Sequence, residues 1–217
     1  MSINRLYGLN PKAKYKSYTG ETGKTHKNLL LKELKDAKHQ ETKYIRNFKI
    51  NYPGKVWTTD VSEFHIPSGK LYLSPILDMG TREIIAYDIS SSPSFKQTNR
   101  MLDEAFLKHP YLSGLILHSD QGWQYQMRQY QERLKSKGII QSMSRKGNCL
   151  DNSPMENFFS IMKREMFYGH EYDFESLNEL EEAMREYINY YNFKRISIKT
   201  KGLSPYEYRQ QSLSVLR

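Results

Sequence analysis

The chain has 217 residues, 38% of them hydrophobic and 26% charged, so it is long enough to bury one good core. It has no run of about 18 apolar residues, and its N-terminus MSINRLYGLN lacks the apolar stretch of a signal peptide, which argues against a membrane or secreted protein. A single cysteine, Cys149, excludes an internal disulfide and suits a reducing compartment. We therefore expect a cytoplasmic protein in which Cys149 is a small turn residue rather than a nucleophile.

The net charge of +9 is concentrated at the N-terminus. Residues 1–55 hold 13 Lys and Arg against four acids, whereas the rest of the chain holds 20 of each sign. The stretch NPKAKYKSYTGETGKTHK within this arm is polar and poor in core-forming residues. It can be a solvated tail, or it can contact a polyanion, most simply nucleic-acid phosphate, which the clustered positive charge favours.

Hydrophobic patterning predicts the order of the elements. A helix of modest amphipathicity is predicted over 28–45, and Pro53-Gly54 then marks a turn. Beyond the turn we predict strands at 56–64, 70–79, 82–90, 114–120 and 139–143, and helices at 95–109, at 124–138 with Gly138 as its C-cap, from Pro154, and at 176–192. The apolar positions of the helices are expected in the core: Met101, Leu102, Ala105, Phe106, Met155, Phe159, Met162, Met166, Leu177, Leu180, Met184, Tyr187 and Tyr191.

This order predicts an α/β layer with a mixed sheet. The meander 56–90 supplies its antiparallel part, and the strand 114–120 has to return through a helical crossover. Ligands of such sheets tend to lie beyond the carboxyl ends of strands. Asp60, within the first of these strands, and Asp120, which closes the apolar run before it, are therefore the acids to consider.

A carboxylate at the end of a buried strand is costly unless it is compensated. For Asp60 or Asp120 alone, a backbone amide or an arginine is the usual compensation. A third carboxylate, Glu156 near the start of a helix, could instead complete an oxygen-rich site of the kind that Mg²⁺ prefers, where two metals can serve an in-line phosphoryl displacement. Ser153-Pro154-Met155-Glu156 also fits a capping box, as does Ser176-Leu177-Asn178-Glu179, so the motif alone leaves both readings open.

The strings around these acids resemble one protein family. They are WTTDVSEF around Asp60, LHSDQGWQYQ around Asp120, SMSRKGNCLDNSPMENFFSIMKRE around Glu156, and the closing YINYYNFKRISIKTKGLSPYEY. Thirty-five residues separate Asp120 from Glu156. Over about 55–210 the chain resembles the DDE transposases of bacterial insertion sequences (OrfB type), whose catalytic core is like that of retroviral integrases.

The resemblance implies a ribonuclease H-like fold with a mixed five-stranded sheet flanked by helices. It implies an integrase-like core at 53–168, preceded by a basic, partly helical arm at 1–52 and followed by a C-terminal helical extension at 169–217. Asp60, Asp120 and Glu156 would be catalytic and would bind two Mg²⁺ or Mn²⁺ ions. The implied reaction is hydrolytic cleavage of a strand at the element end, after which the freed 3′-OH attacks another DNA segment.

The resemblance also implies DNA as the partner, at element ends and target, with a homo-multimer on the DNA and nucleoid association while bound. Lys163 lies seven residues after Glu156, an offset at which the family has a basic residue that contacts terminal DNA. The loop before Glu156 is well suited to phosphate and base contacts through Arg145, Lys146, Asn148 and Asn152. A non-cleaving DNA-binding relic, or a regulator of a longer transposase, is the alternative. A stand-alone ribonuclease H-type nuclease is a third reading, which the flanking strings disfavour.

Two features depart from the family pattern. Only a basic arm precedes the core, where relatives usually begin with a helical DNA-binding region. The stretch KELKDAKHQETKY, residues 32–44, is also longer than expected and is interpreted as an inserted helix.

The remaining polar and aromatic candidates have ordinary structural readings that we favour or weigh equally. Asp78 and Asp151 are interpreted as structural acids rather than metal ligands, and His118 is interpreted as a core histidine whose hydrogen bonds are satisfied. Trp123 and Tyr125 can stack on a base or pack in the core, with neither reading preferred.

Overall fold

The computed structural model describes residues 23–36, 41–50 and 52–215. The first 22 residues of the predicted basic arm, and residues 37–40 of the predicted inserted helix, lie outside the described residues. No described helix is both long and apolar enough to cross a membrane.

The arm does not contain the helix predicted over 28–45. Strand β1 (Leu31–Asp36) instead pairs antiparallel with β2 (Glu41–Arg46), with Leu31 opposite Arg46. The ribbon exposes much of its own apolar surface, including half of Leu34 and half of Ile45. It therefore gains little from an amphipathic pattern, and tertiary contacts at its ends override the helix propensity. The stretch interpreted as an inserted helix is thus largely a β-ribbon.

The central sheet has six strands in five strand positions, because two consecutive strands share one position. Strands β3 (Val56–Thr59) and β4 (Ser62–Ile66) both pair with the same side of β5 (Gly69–Asp78), and β6 (Ile84–Ser90) pairs with its other side. Strands β7 (Ile116–Ser119) and β8 (Ile140–Met143) continue the sheet in parallel beyond β3. The five positions therefore run β6, β5, β3 with β4, β7, β8, as predicted for a mixed five-stranded sheet.

The single strand predicted over 56–64 is broken at Asp60 and Val61. The antiparallel register, with Thr59 opposite Ile76 and Ser62 opposite Leu73, places Asp60 opposite Pro75. Proline has no N–H group to donate to the ladder, so the pairing lapses there. Asp60 consequently follows the end of β3 rather than lying within a strand.

Helices cover both faces of the sheet. On one face lie α1 (Phe95–Lys108), the short α2 (Trp123–Gln126) and α3 (Arg128–Ser136), where the sequence predicted a single helix for the last two. The other face carries α4 (Ser153–Met166) and α5 (Leu177–Phe193), and α6 (Pro205–Ser214) packs against α5. Each face has its own apolar cluster, and the predicted core positions belong to these clusters: Met101, Leu102, Ala105, Met155, Phe159, Met162, Leu180, Met184, Tyr187 and Tyr191 are buried, and Phe106, Met166 and Leu177 pack at their margins.

Helix α3 ends as the sequence predicts. Gly138 takes a left-handed conformation, with φ 69°. The amide of Gly138 donates to the carbonyl of Lys135, and the amide of Ile139 donates to that of Leu134, the two bonds of a Schellman motif. The turn leads the chain directly into β8.

Candidate active site

Asp60 and Asp120 follow the ends of two adjacent parallel strands. Thr58 of β3 pairs with His118 of β7, and extending this register by two residues sets Asp60 beside Asp120. One oxygen of each carboxylate is oriented by a nearby amide: Oδ1 of Asp60 accepts from Val61 N at 2.8 Å, and Oδ1 of Asp120 accepts from Gly122 N at 2.8 Å. The two acids therefore meet at the carboxyl edge of the sheet.

Glu156 lies on the first turns of α4, and its carboxylate does not cap that helix. The N-cap is Asn152, no side-chain capping hydrogen bond forms, and Ser153 is already helical. The capping box that the sequence allowed at Ser153 and Glu156 is therefore not formed. The matching motif at Ser176 is a cap as predicted, since its hydroxyl accepts from the amide of Glu179.

Asn152 joins the start of α4 to the end of β3. Its side chain is 3% exposed. The hydroxyl of Thr58 donates to the Asn152 side-chain oxygen, and Asn152 Nδ2 donates to the carbonyl of Thr59 at 3.2 Å. Because Thr59 immediately precedes Asp60, these bonds fix the helix that carries Glu156 against the strand end that carries Asp60.

The three acids line one open cleft of about 1100 Å³. Its walls include Lys146 and Asn148 from the loop that precedes α4, and Glu63 from β4. The cleft is open, and acidic, basic and amide side chains line it, which suits an extended, charged ligand better than a small apolar one.

Burial and neighbouring negative charges disfavour the ionisation of Asp60 in the cleft. Burial raises the pKa of Asp60 to about 7, with further contributions from the charges of Asp120 and Glu156, against the opposing hydrogen bond from the Val61 amide. Burial also raises the pKa of Asp120, although the amide of Gly122 opposes it. Such a cluster of acids favours a compensating cation.

The described part of the chain contains no ready-made metal cluster: no three His, Cys, Asp or Glu side chains in it are grouped closely enough to hold an ion together. The site is nevertheless chemically suited to Mg²⁺, because its donors are carboxylate oxygens in a partly buried, water-accessible cleft.

The two other acids considered from the sequence are satisfied by the protein itself. Asp78 is buried and accepts from the amides of Gly54, Gly80 and Thr81 and from the indole of Trp57. Asp151 is also fully buried, although it lies only five residues before Glu156. Neither Asp78 nor Asp151 lines the cleft, which agrees with their structural interpretation.

His118 is a core histidine, as interpreted from the sequence. It is fully buried, and its two ring nitrogens lie 2.9 Å from the hydroxyl of Ser142 and 3.1 Å from that of Ser144. Burial lowers the pKa of His118 to about 4, so the ring is neutral at physiological pH. Tyr125 is likewise in the core, fully buried against Tyr130, whereas Trp123 lines the cleft.

Some of the side chains predicted to bind DNA are free to do so, whereas others already form hydrogen bonds within the protein. Lys146 is exposed and Asn148 half-buried, and both line the cleft. Arg145 lines the cleft as well, but its guanidinium donates to Asp151 at 2.9 and 3.0 Å. Asn152 lines the cleft while both ends of its amide are bonded to β3, so a DNA contact from Asn152 would have to coexist with those bonds.

Lys163 lies two turns beyond Glu156 on α4, outside the cleft proper. Its ammonium donates to the carbonyl of Glu63 at 2.8 Å and lies 4.8 Å from the ring centroid of Phe64. Burial lowers the pKa of Lys163. The side chain is thus held at the margin of the site, on the side of the helix that carries Glu156.

Sequence reasoning missed the contribution of the N-terminal segment. Gly23 and Thr25 line the cleft, and Asn28 and Arg46 donate to Asp151 from more than 100 residues away. Local sequence patterns do not predict such contacts, because the residues that form them are distant in the chain. Helix α6 was also missed, although Ser204-Pro205-Tyr206-Glu207 forms a complete capping box that could have revealed it.

Comparison with known proteins agrees with this architecture. Two family models, each described as "Integrase core domain", match this chain, one over residues 51–149 and the other over residues 156–213. The chain is 51% identical to an uncharacterized transposase-like protein of Haemophilus influenzae, over 98% of this chain and 92% of that protein. It is 47% identical to the putative transposase InsK for insertion sequence element IS150 of Escherichia coli, over 97% of this chain and 71% of that protein.

Among solved structures, the HTLV-2 integrase catalytic core domain in complex with magnesium matches with a TM-score of 0.56 at 18% identity, covering 73% of this chain and 97% of that one. At this identity the match concerns the fold alone, and it confirms the predicted ribonuclease H-like architecture.

Proposed function

Because the chain belongs to the DDE-type transposases of bacterial insertion sequences, which have an integrase-like core, we propose that Asp60, Asp120 and Glu156 are its catalytic carboxylates. Its function is transposition, and its family implies polynucleotidyl transfer. We infer that this chain cleaves a DNA strand at the element end and transfers it to target DNA. The observation that supports the assignment is that these three acids, from three separate parts of the chain, line one cleft. Burial, with the charges of Asp120 and Glu156, raises the pKa of Asp60 there.

Divalent metal fits the same three residues. Asp60, Asp120 and Glu156 would hold Mg²⁺ or Mn²⁺, two ions in all, with water and substrate phosphate completing the oxygen shells. When bound, the metal supplies a Lewis acid that offsets the negative charge of the reacting phosphodiester. Burial, and after it the charges of Asp120 and Glu156, raises the pKa of Asp60, which supports this proposal because a bound cation would favour the ionised carboxylate.

The protein's own groups orient the site. The amides of Val61 and Gly122 hold one oxygen of Asp60 and Asp120, respectively. Lys146, which is exposed, and Asn148, which is half-buried, line the cleft, and they would contact the DNA backbone and set its position there. We further infer a multimer on DNA, since two element ends have to be joined in concert.

The test is a strand-transfer assay with DNA that carries the inverted repeats flanking the coding region, in Mg²⁺ or Mn²⁺. We expect Asp60→Asn, Asp120→Asn and Glu156→Gln each to reduce transfer by about a thousandfold or more. Glu63→Gln is the matched control, because Glu63 lines the same cleft but pairs with Lys70 and is not assigned to catalysis. It should retain activity close to wild type.

Retained strand transfer in any of the three variants would remove that residue from the catalytic set. Wild-type protein that shifts DNA mobility in a salt-dependent way, cleaves nothing, and responds neither to metal nor to the three substitutions would instead establish the non-cleaving relic.

A further inference from the structure

Asp151 is a buried carboxylate on which two distant parts of the chain meet. Its side chain is fully buried. Arg145, from its own loop, donates to it through the backbone amide and the guanidinium at 2.9 to 3.2 Å. From the N-terminal segment, Asn28 Nδ2 donates at 3.1 Å and Arg46 Nε at 2.8 Å. Burial alone would raise the pKa of Asp151, but the arginine hydrogen bonds outweigh it and lower this pKa.

The N-terminal segment is bound where its two strands begin and end, rather than along the ribbon. The amide of Leu29 donates to the hydroxyl of Ser142 at 3.0 Å, and Leu30 is 4% exposed. The amide of Asn47 donates to the carbonyl of Leu30 at 2.7 Å, which closes the base of the ribbon. We call residues 28–36 and 41–46 the N-terminal clamp. Its base therefore sits on β8 and on Asp151.

Asp151 is covalently adjacent to the residue that locates α4. Asn152 holds the end of β3 through Thr58 and Thr59, one residue before Asp60. Asp151 and Asn152 form one 3₁₀ turn, Cys149–Asn152, which leads directly into the helix of Glu156. A shift of Asp151 would therefore be passed to the start of α4 and to Glu156.

We propose that Asp151 is a positioning residue and that the N-terminal clamp, acting through it, sets the place of Glu156 relative to Asp60. The role of Glu156 in this statement rests on the proposed function, whereas the mechanical link does not. The clamp makes residues outside the matched integrase core an integral part of the site, and it limits the DNA-binding role of Arg145, whose guanidinium is committed to Asp151.

The competing explanation is that the ribbon simply binds DNA, because the clamp carries four basic residues against three acids. It predicts that any loss of positive charge on the ribbon weakens DNA binding equally. The clamp predicts that only the side chains that reach Asp151 matter to the loop and to turnover. Lys32 is exposed on β1 and has no contact with Asp151, so Lys32→Met is a matched loss of one charge.

The first experiment follows tryptic cleavage between Lys146 and Gly147 in the native full-length chain, well below its unfolding temperature. Arg46→Met and Asn28→Ala should accelerate this cut by about tenfold or more, because each removes a hydrogen bond to a buried charge that holds the loop closed. Lys32→Met should leave the rate unchanged. Asp78→Asn, which disturbs a buried carboxylate elsewhere, reports whether general destabilisation alone exposes the loop.

The second experiment measures DNA affinity and strand transfer at saturating DNA. We expect Arg46→Met to lower turnover by about 10- to 100-fold while its DNA Kd stays like that of Lys32→Met. Arg46→Lys should restore part of the turnover.

If cleavage after Lys146 and turnover are the same in Arg46→Met, Asn28→Ala and Lys32→Met, the proposed role of the clamp is wrong. If the loop opens as expected but the wild-type chain transfers no strand, the clamp stands and the proposed function fails. Asn28→Ala, which retains both arginines, keeps the test decisive should Arg46→Met not fold.

Discussion

The hydroxyl of Thr58 donates a hydrogen bond to the side-chain oxygen of Asn152, 94 residues later in the chain. The same Asn152 amide donates to the carbonyl of Thr59. This pair of bonds connects the strand that precedes Asp60 with the helix that carries Glu156. The position of Glu156 relative to Asp60 therefore depends on an uncharged side chain, that of Asn152.

We predict that Asn152→Ala destabilises the fold as well as the reaction. It leaves the Thr58 hydroxyl and the Thr59 carbonyl buried without their partner, which should lower the free energy of unfolding by about 1–3 kcal/mol. Urea unfolding measures the loss. Asn148→Ala, in the same loop but only half-buried, should change stability by less than about 0.5 kcal/mol. Unchanged stability with weakened DNA binding in Asn152→Ala would show that Asn152 acts mainly on DNA.

The sequence predicted those elements whose apolar residues repeat with a clear period. The stripe of α1 and the heptad-like spacing of α5 identify their buried faces, because each helix packs one side on the sheet. The acids were located by the strings that surround them, since an acid in an ordinary helix start looks the same as Glu156. That the side chain of Glu156 is free of a cap could be learned only from the structure.

The sequence misled where contacts distant in the chain determine the conformation. Residues 28–45 contain good helix formers, yet they form a ribbon whose base is held by Ser142 and Asp151. The division of the first core strand at Asp60 depends on Pro75, fifteen residues later and on the neighbouring strand. Both cases required knowledge of strand partners, which local propensity does not supply.

A second prediction concerns stability and pH without divalent metal. Asp60 has a pKa of about 7 in the folded chain, against about 3.9 for an unfolded aspartate, so the folded state binds more protons between these values. The protonated Asp60 carboxyl therefore contributes to the free energy of unfolding below about pH 4, and this contribution is lost as the pH rises through about 7. Asparagine does not ionise, so Asp60→Asn should not lose stability as the pH rises. Its free energy of unfolding should exceed that of the wild type by about 2–4 kcal/mol at pH 8, with little difference at pH 4.

The comparison has to be made between variants, because His118 opposes Asp60. Its pKa of about 4 lies below the ordinary 6.5, so its contribution is present above about pH 6.5 and is lost as pH falls through about 4. Wild type and Asp60→Asn share His118, and its effect cancels in their difference. Glu63→Gln is the carboxylate control: the pKa of Glu63 is lowered by Lys70, so its removal should give no gain at high pH. Equal pH profiles for wild type and Asp60→Asn would contradict the prediction.

A third prediction concerns the response to metal. Mn²⁺ or Mg²⁺ should raise the thermal unfolding temperature of the wild type more at pH 8 than at pH 6, because carboxylates have to be ionised to bind the ion. At a concentration of about 100 times Kd the stabilisation amounts to about 2.7 kcal/mol. Asp60→Asn and Asp120→Asn should lose most of it, whereas Glu63→Gln should retain it. A stabilisation that survives in both aspartate variants would place the metal elsewhere.

The last prediction concerns Lys163, whose ammonium is already oriented by the carbonyl of Glu63 and the face of Phe64. A phosphate contact needs only the outward side of such a group, so the DNA can use a preorganised cation at small entropic cost. Lys163→Gln should weaken DNA binding and lower the slope of log Kd against log salt by about 1. Arg164→Gln removes the same charge from the next, exposed residue of α4 and should leave that slope unchanged. Equal effects of the two substitutions would mean that α4 contributes only a general positive field, and Lys163 would then have no direct contact with DNA.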